Sequence, residues 1–159
     1  MKKTAKIIPY SKVEQYYYLW EDKKTVLVGG CFDLIHYGHF KFLEKAKKNG
    51  DFLIVALESD EFIKKYKKRE SIHTQKQRAE ILSGFDFVDL IILLPLFKND
   101  NDYFQMVKKI NPKIIAVTKG DEKIEKKKIQ AEKIGAEVKI VINLIQKFST
   151  NKIISFFNY

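Results

Sequence analysis

The sequence predicts a Rossmann-like α/β fold: a doubly wound, mostly parallel five-stranded sheet with helices on both faces. Short β-branched and apolar runs alternate along the chain with segments whose apolar residues recur at helical spacing. Such β-α-β alternation gives parallel strands that helices cover on both sides. The length of 159 residues and the hydrophobic content of 45% suit one globular domain with its own core.

The predicted elements follow one another regularly, and the chain 1–159 is expected to be a single domain. Residues 1–24 form an N-terminal helical extension, whose aromatic run 16–20 is expected to pack a helix onto the sheet. The strands are predicted at 25–31, 52–58, 88–94, 113–118 and 137–142. The helices are predicted at 38–48, 60–66, 75–83, 101–110, 122–134 and 150–157.

Charge and cysteine content restrict the class of protein. The net charge of +10 would suit nucleic acid, an anionic membrane or a polyanionic small substrate. Because the lysines are dispersed over the polar faces of predicted helices, we favour the small substrate over a nucleic acid and expect no membrane partner. The single cysteine excludes a disulfide within the chain. With no secretory signal and no apolar run long enough to span a bilayer, the expected location is the cytoplasm.

Residues 29–39 are the most informative stretch of the chain. They join the apolar run 25–28, which is typical of a buried strand, to a segment with helical spacing that ends at Asn49. Two histidines, His36 and His39, therefore lie at a junction between a strand and the following helix. The N–H groups at such a helix start form a natural phosphate site.

The stretch contains the string G-x-F-D-x-x-H-x-G-H, which resembles the signature of the nucleotidyltransferase family that includes the cytidylyltransferases and the sugar-phosphate adenylyltransferases. The resemblance implies that His36 and His39 donate hydrogen bonds to the α- and β-phosphates of a nucleoside triphosphate. It also implies a nucleotide-binding role for the residues around them, which are Gly30, Cys31, Phe32, Asp33 and Gly38. An Asx turn is an equal alternative for the Asp33 side chain. Cys31 is expected to act as a small hydrophobe and not as a nucleophile.

The resemblance extends along the chain to a segment similar to the family's R-x-x-I-L…V-D. It implies that Arg78 contacts substrate phosphates as a third catalytic residue. It also implies a phosphate-binding lysine in the preceding basic loop, for which we choose Lys67 and Lys68.

Two later segments complete the resemblance. The turn containing Lys119 and Asp121 is similar to the K-G-x-D turn of sugar-phosphate adenylyltransferases, although an ordinary turn with Asp121 capping the next helix explains it equally well. Phe148, Ser149 and Thr150 occupy the family's second signature, where a helix start and its hydroxyls hold the β- and γ-phosphates. The chain lacks the arginine and glycine of the cytidylyltransferase R-T-x-G-I-S-T and looks more like the S-T-x-x-I-I of heptose 1-phosphate adenylyltransferases.

The resemblance thus implies a nucleotidyltransferase that moves a nucleoside monophosphate from ATP (or CTP) to a phosphorylated acceptor such as a sugar 1-phosphate, releasing pyrophosphate. A hydrated Mg²⁺ held by the phosphates is expected, with no certain protein ligand. Relatives are often dimers, so a homodimer is expected. Three alternatives stay open: a cytidylyltransferase acting on an alcohol phosphate such as glycerol 3-phosphate, an FMN adenylyltransferase, and a non-catalytic nucleotide- or RNA-binding module.

Overall fold

A six-stranded, entirely parallel sheet forms the centre of the computed structural model, which describes residues 4–143 and 149–157. The strands run in the order β1-β4-β3-β2-β5-β6. Their bounds are β1 Lys6–Pro9, β2 Thr25–Gly30, β3 Phe52–Leu57, β4 Leu90–Leu93, β5 Ile114–Thr118 and β6 Glu137–Ile142. The central strands are buried apolar runs, as a sheet covered on both faces requires.

Helices lie on both faces of the sheet and bury two separate apolar clusters. Leu43 and Leu82 belong to the cluster on one face, and Trp20, Met106 and Ile110 belong to the cluster on the other. The helices are α1 Tyr37–Lys47, α2 Asp60–Phe62, α3 Gln75–Ser83, α4 Asp100–Ile110, α5 Ile124–Glu132 and α6 Thr150–Ser155. A π turn continues α2 over Ile63–Lys67. The doubly wound fold predicted from the sequence is confirmed.

The N-terminal extension differs from the prediction. Lys6–Pro9 forms a sixth strand that pairs with β4, so the sheet has one strand more than the expected five. Only Ile8 in this strand is buried, and a single buried position gives no alternation to read in the sequence. Pro9 is tolerated because an edge strand needs no donor on its outer side. The aromatic run then forms a 3₁₀ helix over Glu14–Leu19.

The aromatic run fixes this extension onto the sheet as expected. Trp20 is 1% exposed, stacks on Phe52 of β3, and donates from Nε1 to the carbonyl oxygen of Ile110 at 2.9 Å. The extension thus closes one face of the sheet, away from the histidines.

The order of the strands determines where a ligand can bind. From β2 the chain passes to β3 on one side, and β5 pairs with β2 on the other side. This reversal opens a crevice at the carboxyl ends of β2 and β5, where open α/β sheets bind their ligands. Among the residues that the structure describes, no helix is both long and apolar enough to cross a membrane.

Candidate active site

The loop between β2 and α1 is a tight, strained turn that aims both histidines at the crevice. His36 is the N-cap of α1, and its Nδ1 accepts a hydrogen bond from the Gly38 amide at 3.1 Å. Phe32 and Leu34 have φ values of 47° and 53°, which cost side-chain-bearing residues roughly 1–3 kcal/mol each. Such strain persists only when the surroundings hold the backbone in place.

Two side chains from distant elements hold this backbone. Arg78 Nη1 donates to the carbonyl oxygen of Cys31 at 2.5 Å, and Thr150 Oγ1 donates to the carbonyl oxygen of Asp33 at 2.8 Å. The loop is therefore fixed by α3 on one side and by α6 on the other.

A cavity of about 290 Å³ opens in the crevice. It brings together most of the residues that the sequence predicted for the site, namely Gly30, Cys31, Phe32, His36, Gly38, His39, Asp121, Ser149 and Thr150. Segments far apart in the sequence thus converge at one place, the carboxyl ends of β2 and β5. Phe148, which was also predicted, lies outside the described residues.

The two histidines form a stacked pair on the cavity wall. Their ring centroids lie 3.8 Å apart with 21° between the ring planes, and Phe32 contacts the His39 ring edge-on at 5.3 Å. Burial, and after it the neighbouring His36, lower the pKa of His39 to about 3. Burial also lowers the pKa of His36. Both rings are therefore neutral at pH 7.

The hydrogen bonds of the rings determine what they can donate. Because His36 Nδ1 accepts from Gly38, the neutral ring carries its proton on Nε2 and can donate from there. His39 Nδ1 is buried without a hydrogen-bond partner among the described residues. If Nδ1 of His39 carries no proton, the proton of the neutral ring lies on Nε2, and His39 has a second N–H donor there. The pair then supplies two N–H groups side by side, an arrangement that suits neighbouring phosphate oxygens.

Ser149 and Thr150 approach the cavity at the start of α6. Ser149 Oγ accepts from the Lys152 amide at 3.2 Å, so its own proton remains available to a ligand. The Thr150 hydroxyl already donates its hydrogen bond to the Asp33 carbonyl oxygen. Thr150 therefore joins α6 to the histidine loop, whereas Ser149 is the hydroxyl that can donate to a phosphate.

Asp121 lies in the cavity lining together with a cation that the sequence did not reveal. Its carboxylate accepts from the Lys123 amide at 2.8 Å and from Lys127 Nζ at 2.7 Å. Lys127, which lies in the first turn of α5, lines the cavity as well. Lys119 is exposed and lies outside the lining, and its amide joins β5 to β6 through the Ile142 carbonyl. Among the described residues that line the cavity, the cation is Lys127, and the predicted Lys119 is not part of that lining.

The Asp33 side chain forms no local Asx cap, which corrects that expectation, and it lies outside the cavity lining. It is 1% exposed, and its carboxylate accepts from Arg69 Nη1 at 2.6 Å and from the amides of Ile72 and His73 at 3.0 and 3.1 Å. Burial would raise the pKa of Asp33, but these hydrogen bonds outweigh it and lower the pKa below its usual value. Asp33 therefore anchors the 69–73 segment to the histidine loop.

Arg78 is also placed differently from the prediction. Its side chain is fully buried and absent from the cavity lining. Besides Cys31, it donates to the His73 carbonyl at 3.1 Å and to Asp60 Oδ1 at 2.7 Å. Every side-chain nitrogen of Arg78 donates a hydrogen bond, so Arg78 positions the loop backbone in this geometry.

The predicted lysines of the basic loop, Lys67 and Lys68, are exposed and lie outside the cavity lining. Arg69, next along the chain, is bonded to the histidine loop through Asp33. Sequence reasoning missed both Arg69 and Lys127, because a run of basic residues gives no signal that separates an inward side chain from its solvated neighbours.

With this geometry established, comparison with known proteins identifies the family. Residues 27–156 match the cytidylyltransferase-like family. The chain belongs to the cytidylyltransferase-like family. The match spans the histidine loop, the Asp121 turn and the Ser149 helix start, so the resemblance seen in the sequence is confirmed.

Individual relatives give a finer comparison. The chain is 38% identical over 138 residues to the bifunctional protein HldE of Campylobacter jejuni subsp. doylei, covering 84% of this chain and 28% of that protein. It is 37% identical over 132 residues to HldE of Aliarcobacter butzleri, covering 82% of this chain and 26% of that protein. The chain therefore spans about a quarter of the length of these relatives.

Solved structures agree with the fold. A lipopolysaccharide core biosynthesis protein from Thermoplasma volcanium superposes with a TM-score of 0.63 at 27% identity, over 77% of this chain and 97% of that one. A pantoate-beta-alanine ligase from Francisella tularensis superposes with a TM-score of 0.68 at 14% identity, over 94% of this chain and 75% of that one. The second likeness concerns the fold alone.

Proposed function

We propose that this chain is an adenylyltransferase, which transfers AMP from ATP to a sugar 1-phosphate and releases pyrophosphate. The observation that carries the proposal is the stacked pair of neutral imidazoles, His36 and His39, on the wall of a cavity that Lys127 and Ser149 also line. These groups supply N–H, ammonium and hydroxyl donors to one small space. Such a donor set suits a polyphosphate, whose charge is spread over many oxygens.

The reaction needs positioning more than a covalent nucleophile. An oxygen of the acceptor phosphate attacks the α-phosphorus of ATP in line, a new P–O bond forms, and the bond to the β-phosphate oxygen breaks to release pyrophosphate. The Nε2–H groups of His36 and His39 would donate to the α- and β-phosphate oxygens as charge moves onto them. Lys127 and Ser149 would neutralise and orient the departing pyrophosphate.

ATP is favoured over CTP, and a sugar phosphate over an alcohol phosphate, by the relatives and by the second signature. The relatives named HldE match this chain over most of its length. The S-T-x-x-I-I pattern at 149–154 also resembles the heptose 1-phosphate adenylyltransferases more than the cytidylyltransferases. These two observations support adenylyl transfer over the cytidylyltransferase alternative.

Mg²⁺ would assist by bridging phosphate oxygens and spreading their charge. Within the described ranges the chain contains no cluster of three or more His, Cys, Asp or Glu residues that could hold a metal ion. The carboxylate in the cavity lining, Asp121, is paired with Lys127. The residues present thus fit an ion carried by the nucleotide's phosphates and water.

On the family resemblance we also propose that the enzyme works in the cytoplasm as a homodimer. Phe156 and Phe157, 80% and 77% exposed at the end of α6, are candidates for the dimer interface. Light scattering on a size-exclusion column would give the mass in solution, and the Phe156→Ser/Phe157→Ser double variant should dissociate the dimer if these residues form it.

The reaction itself is tested by measuring pyrophosphate release with Mg²⁺ and either ATP or CTP, against sugar 1-phosphates, glycerol 3-phosphate and FMN. The proposal predicts release with ATP and a sugar 1-phosphate, and a nucleoside diphosphate sugar by mass spectrometry. Release only with CTP, or only with FMN, would overturn it. Salt-sensitive RNA binding without pyrophosphate release would favour the binding-module alternative.

A further inference from the structure

A buried carboxylate, Glu58, lies next to the cavity without being part of its lining. Glu58 follows β3 directly, and its amide donates to the carbonyl oxygen of Gly30 at 3.0 Å, which places it beside the end of β2. Gly30 and the next residue, Cys31, both line the cavity. Burial, and after it the Glu58 carboxylate, raise the pKa of the Cys31 thiol, as expected for a negative charge close to that wall.

Only one of the two Glu58 carboxylate oxygens has a hydrogen-bond partner among the described residues. Glu58 is 8% exposed, and its Oε1 accepts from the Tyr103 hydroxyl at 2.9 Å. Its Oε2 is buried with no hydrogen-bond partner among the described residues. Burial raises the pKa of Glu58, and the hydroxyl of Tyr103 and the charges of Lys123, Arg78 and Lys127 offset this only in part. A buried polar oxygen without a partner is costly, so a protein that retains one commonly has a use for it.

Two aromatic rings and a cation lie near Glu58. Lys123 Nζ lies 5.6 Å from the ring centroids of both Phe62 and Tyr103. Phe62 belongs to α2, Tyr103 to α4, and Lys123 precedes α5. Three elements thus converge around Glu58 on the β3 side of the carboxyl edge. Apolar rings with a few convergent polar groups are typical of small-molecule sites.

The proposed reaction requires a second subsite in this part of the molecule. In-line displacement brings the acceptor phosphate to the α-phosphorus from the side opposite the departing pyrophosphate. Ser149 and Lys127 would hold the pyrophosphate at the β5 and α6 side of the cavity. The body of the acceptor must then lie toward β3, the side on which Glu58 follows its strand.

We propose that Glu58 is the specificity-determining residue for the acceptor, and that its Oε2 accepts a hydrogen bond from a hydroxyl of the acceptor's sugar. Tyr103 orients the carboxylate through Oε1, and Lys123 with Phe62 borders the same subsite. A hydroxyl is favoured over an ammonium group because Lys123 already supplies a cation there. This inference rests on the proposed adenylyl transfer and adds the residue that recognises the acceptor.

Calorimetric titration separates acceptor binding from ATP binding without requiring turnover. The probes are Mg²⁺–ATP alone, and glucose 1-phosphate and mannose 1-phosphate added to the protein saturated with a non-hydrolysable ATP analogue. The variants are Glu58→Gln and Glu58→Leu, with Glu125→Gln as the matched control. Glu125 is an exposed glutamate of α5 whose carboxylate pairs with Lys128, and it lies outside the cavity lining.

The proposal predicts that the Glu58 variants weaken sugar 1-phosphate binding about tenfold to a hundredfold, the range for one hydrogen bond to a charged group, with the dissociation constant of ATP within about twofold. Glu125→Gln should keep acceptor affinity within about threefold. Equal losses in the Glu125 and Glu58 variants, or no loss in the Glu58 variants, would overturn the assignment of Glu58 while leaving adenylyl transfer standing. Absence of any sugar phosphate binding to the ATP-bound wild type would overturn both.

Discussion

The imidazole rings of His36 and His39 lie nearly parallel, with their centroids 3.8 Å apart. Two imidazolium ions at that distance would repel each other, and burial raises the cost of charging either ring. The pair is therefore built to stay neutral and to donate from N–H groups, and a proton on either ring would have to come with the negative charge of a ligand.

The pKa of His39 makes stability depend on pH in a defined direction. Its folded value of about 3 lies below the unfolded value of 6.5, so the unfolded chain binds a proton that the native state excludes. The free energy of unfolding should therefore fall as the pH drops from 6.5 toward 3, by roughly 1 kcal/mol per pH unit from this group. Urea unfolding at pH 7 and pH 5 measures the change. The His39→Asn variant should show a smaller difference, and an equal difference in both proteins would contradict the neutral, buried ring.

The contact between Gly30 and Phe32 gives a test of the histidine loop. A Cβ at Gly30 would lie 2.9 Å from Cε2 of the Phe32 ring, which packs on His39. Gly30→Ala should therefore displace that ring and cost about 1–3 kcal/mol of stability. Gly29→Ala is the matched control, because its Cβ would meet nothing closer than the Ala56 carbonyl oxygen at 3.9 Å. Equal stabilities of the two variants would show that the Phe32 ring moves freely.

The Asp33–Arg69 pair should matter for the 69–73 segment. Asp33→Asn leaves the Arg69 guanidinium without its carboxylate, and breaking a pair this buried costs about 3 kcal/mol or more. We expect lower stability in urea and faster proteolysis within residues 64–73. Asp100→Asn is the control, since its pair with Lys126 is exposed and is worth about 0–1 kcal/mol. Matching losses in both variants would refute the anchoring role of Asp33.

Arg78 offers a way to separate positioning from phosphate contact. Lysine cannot reach the carbonyl oxygens of Cys31 and His73 and the Asp60 carboxylate together, so Arg78→Lys should lower the free energy of unfolding by about 3 kcal/mol without any ligand. Thermal unfolding of the ligand-free protein measures this. A residue that served only to contact phosphate would leave that stability unchanged.

Much of the fold could be read from the sequence because its signals are local. Buried apolar runs and helical spacing predicted the central strands and most of the helices, and the histidine string at the end of β2 located the crevice. The edge strand β1 was missed because one buried residue in four gives no pattern. The helix expected over 60–66 becomes a short α2 and a π turn, a change of hydrogen bonding that apolar spacing does not reveal.

The site was predictable where a residue acts through its own segment, and less so where it acts across the fold. His36, His39 and Ser149 reach the cavity because each begins or lies in a helix that starts there. Asp33 instead bonds to Arg69, 36 residues away in the chain, and Arg78 to Cys31, 47 residues away. Such contacts depend on the packing of whole elements, which one sequence does not display.

The most direct test of the account is pyrophosphate release by the wild type and by His39→Ala, with Mg²⁺–ATP and a sugar 1-phosphate. Loss of one transition-state donor should lower kcat about 10²–10³-fold, while circular dichroism shows an unchanged fold. Undiminished pyrophosphate release by the folded His39→Ala variant would contradict the proposal that His36 and His39 bind the triphosphate.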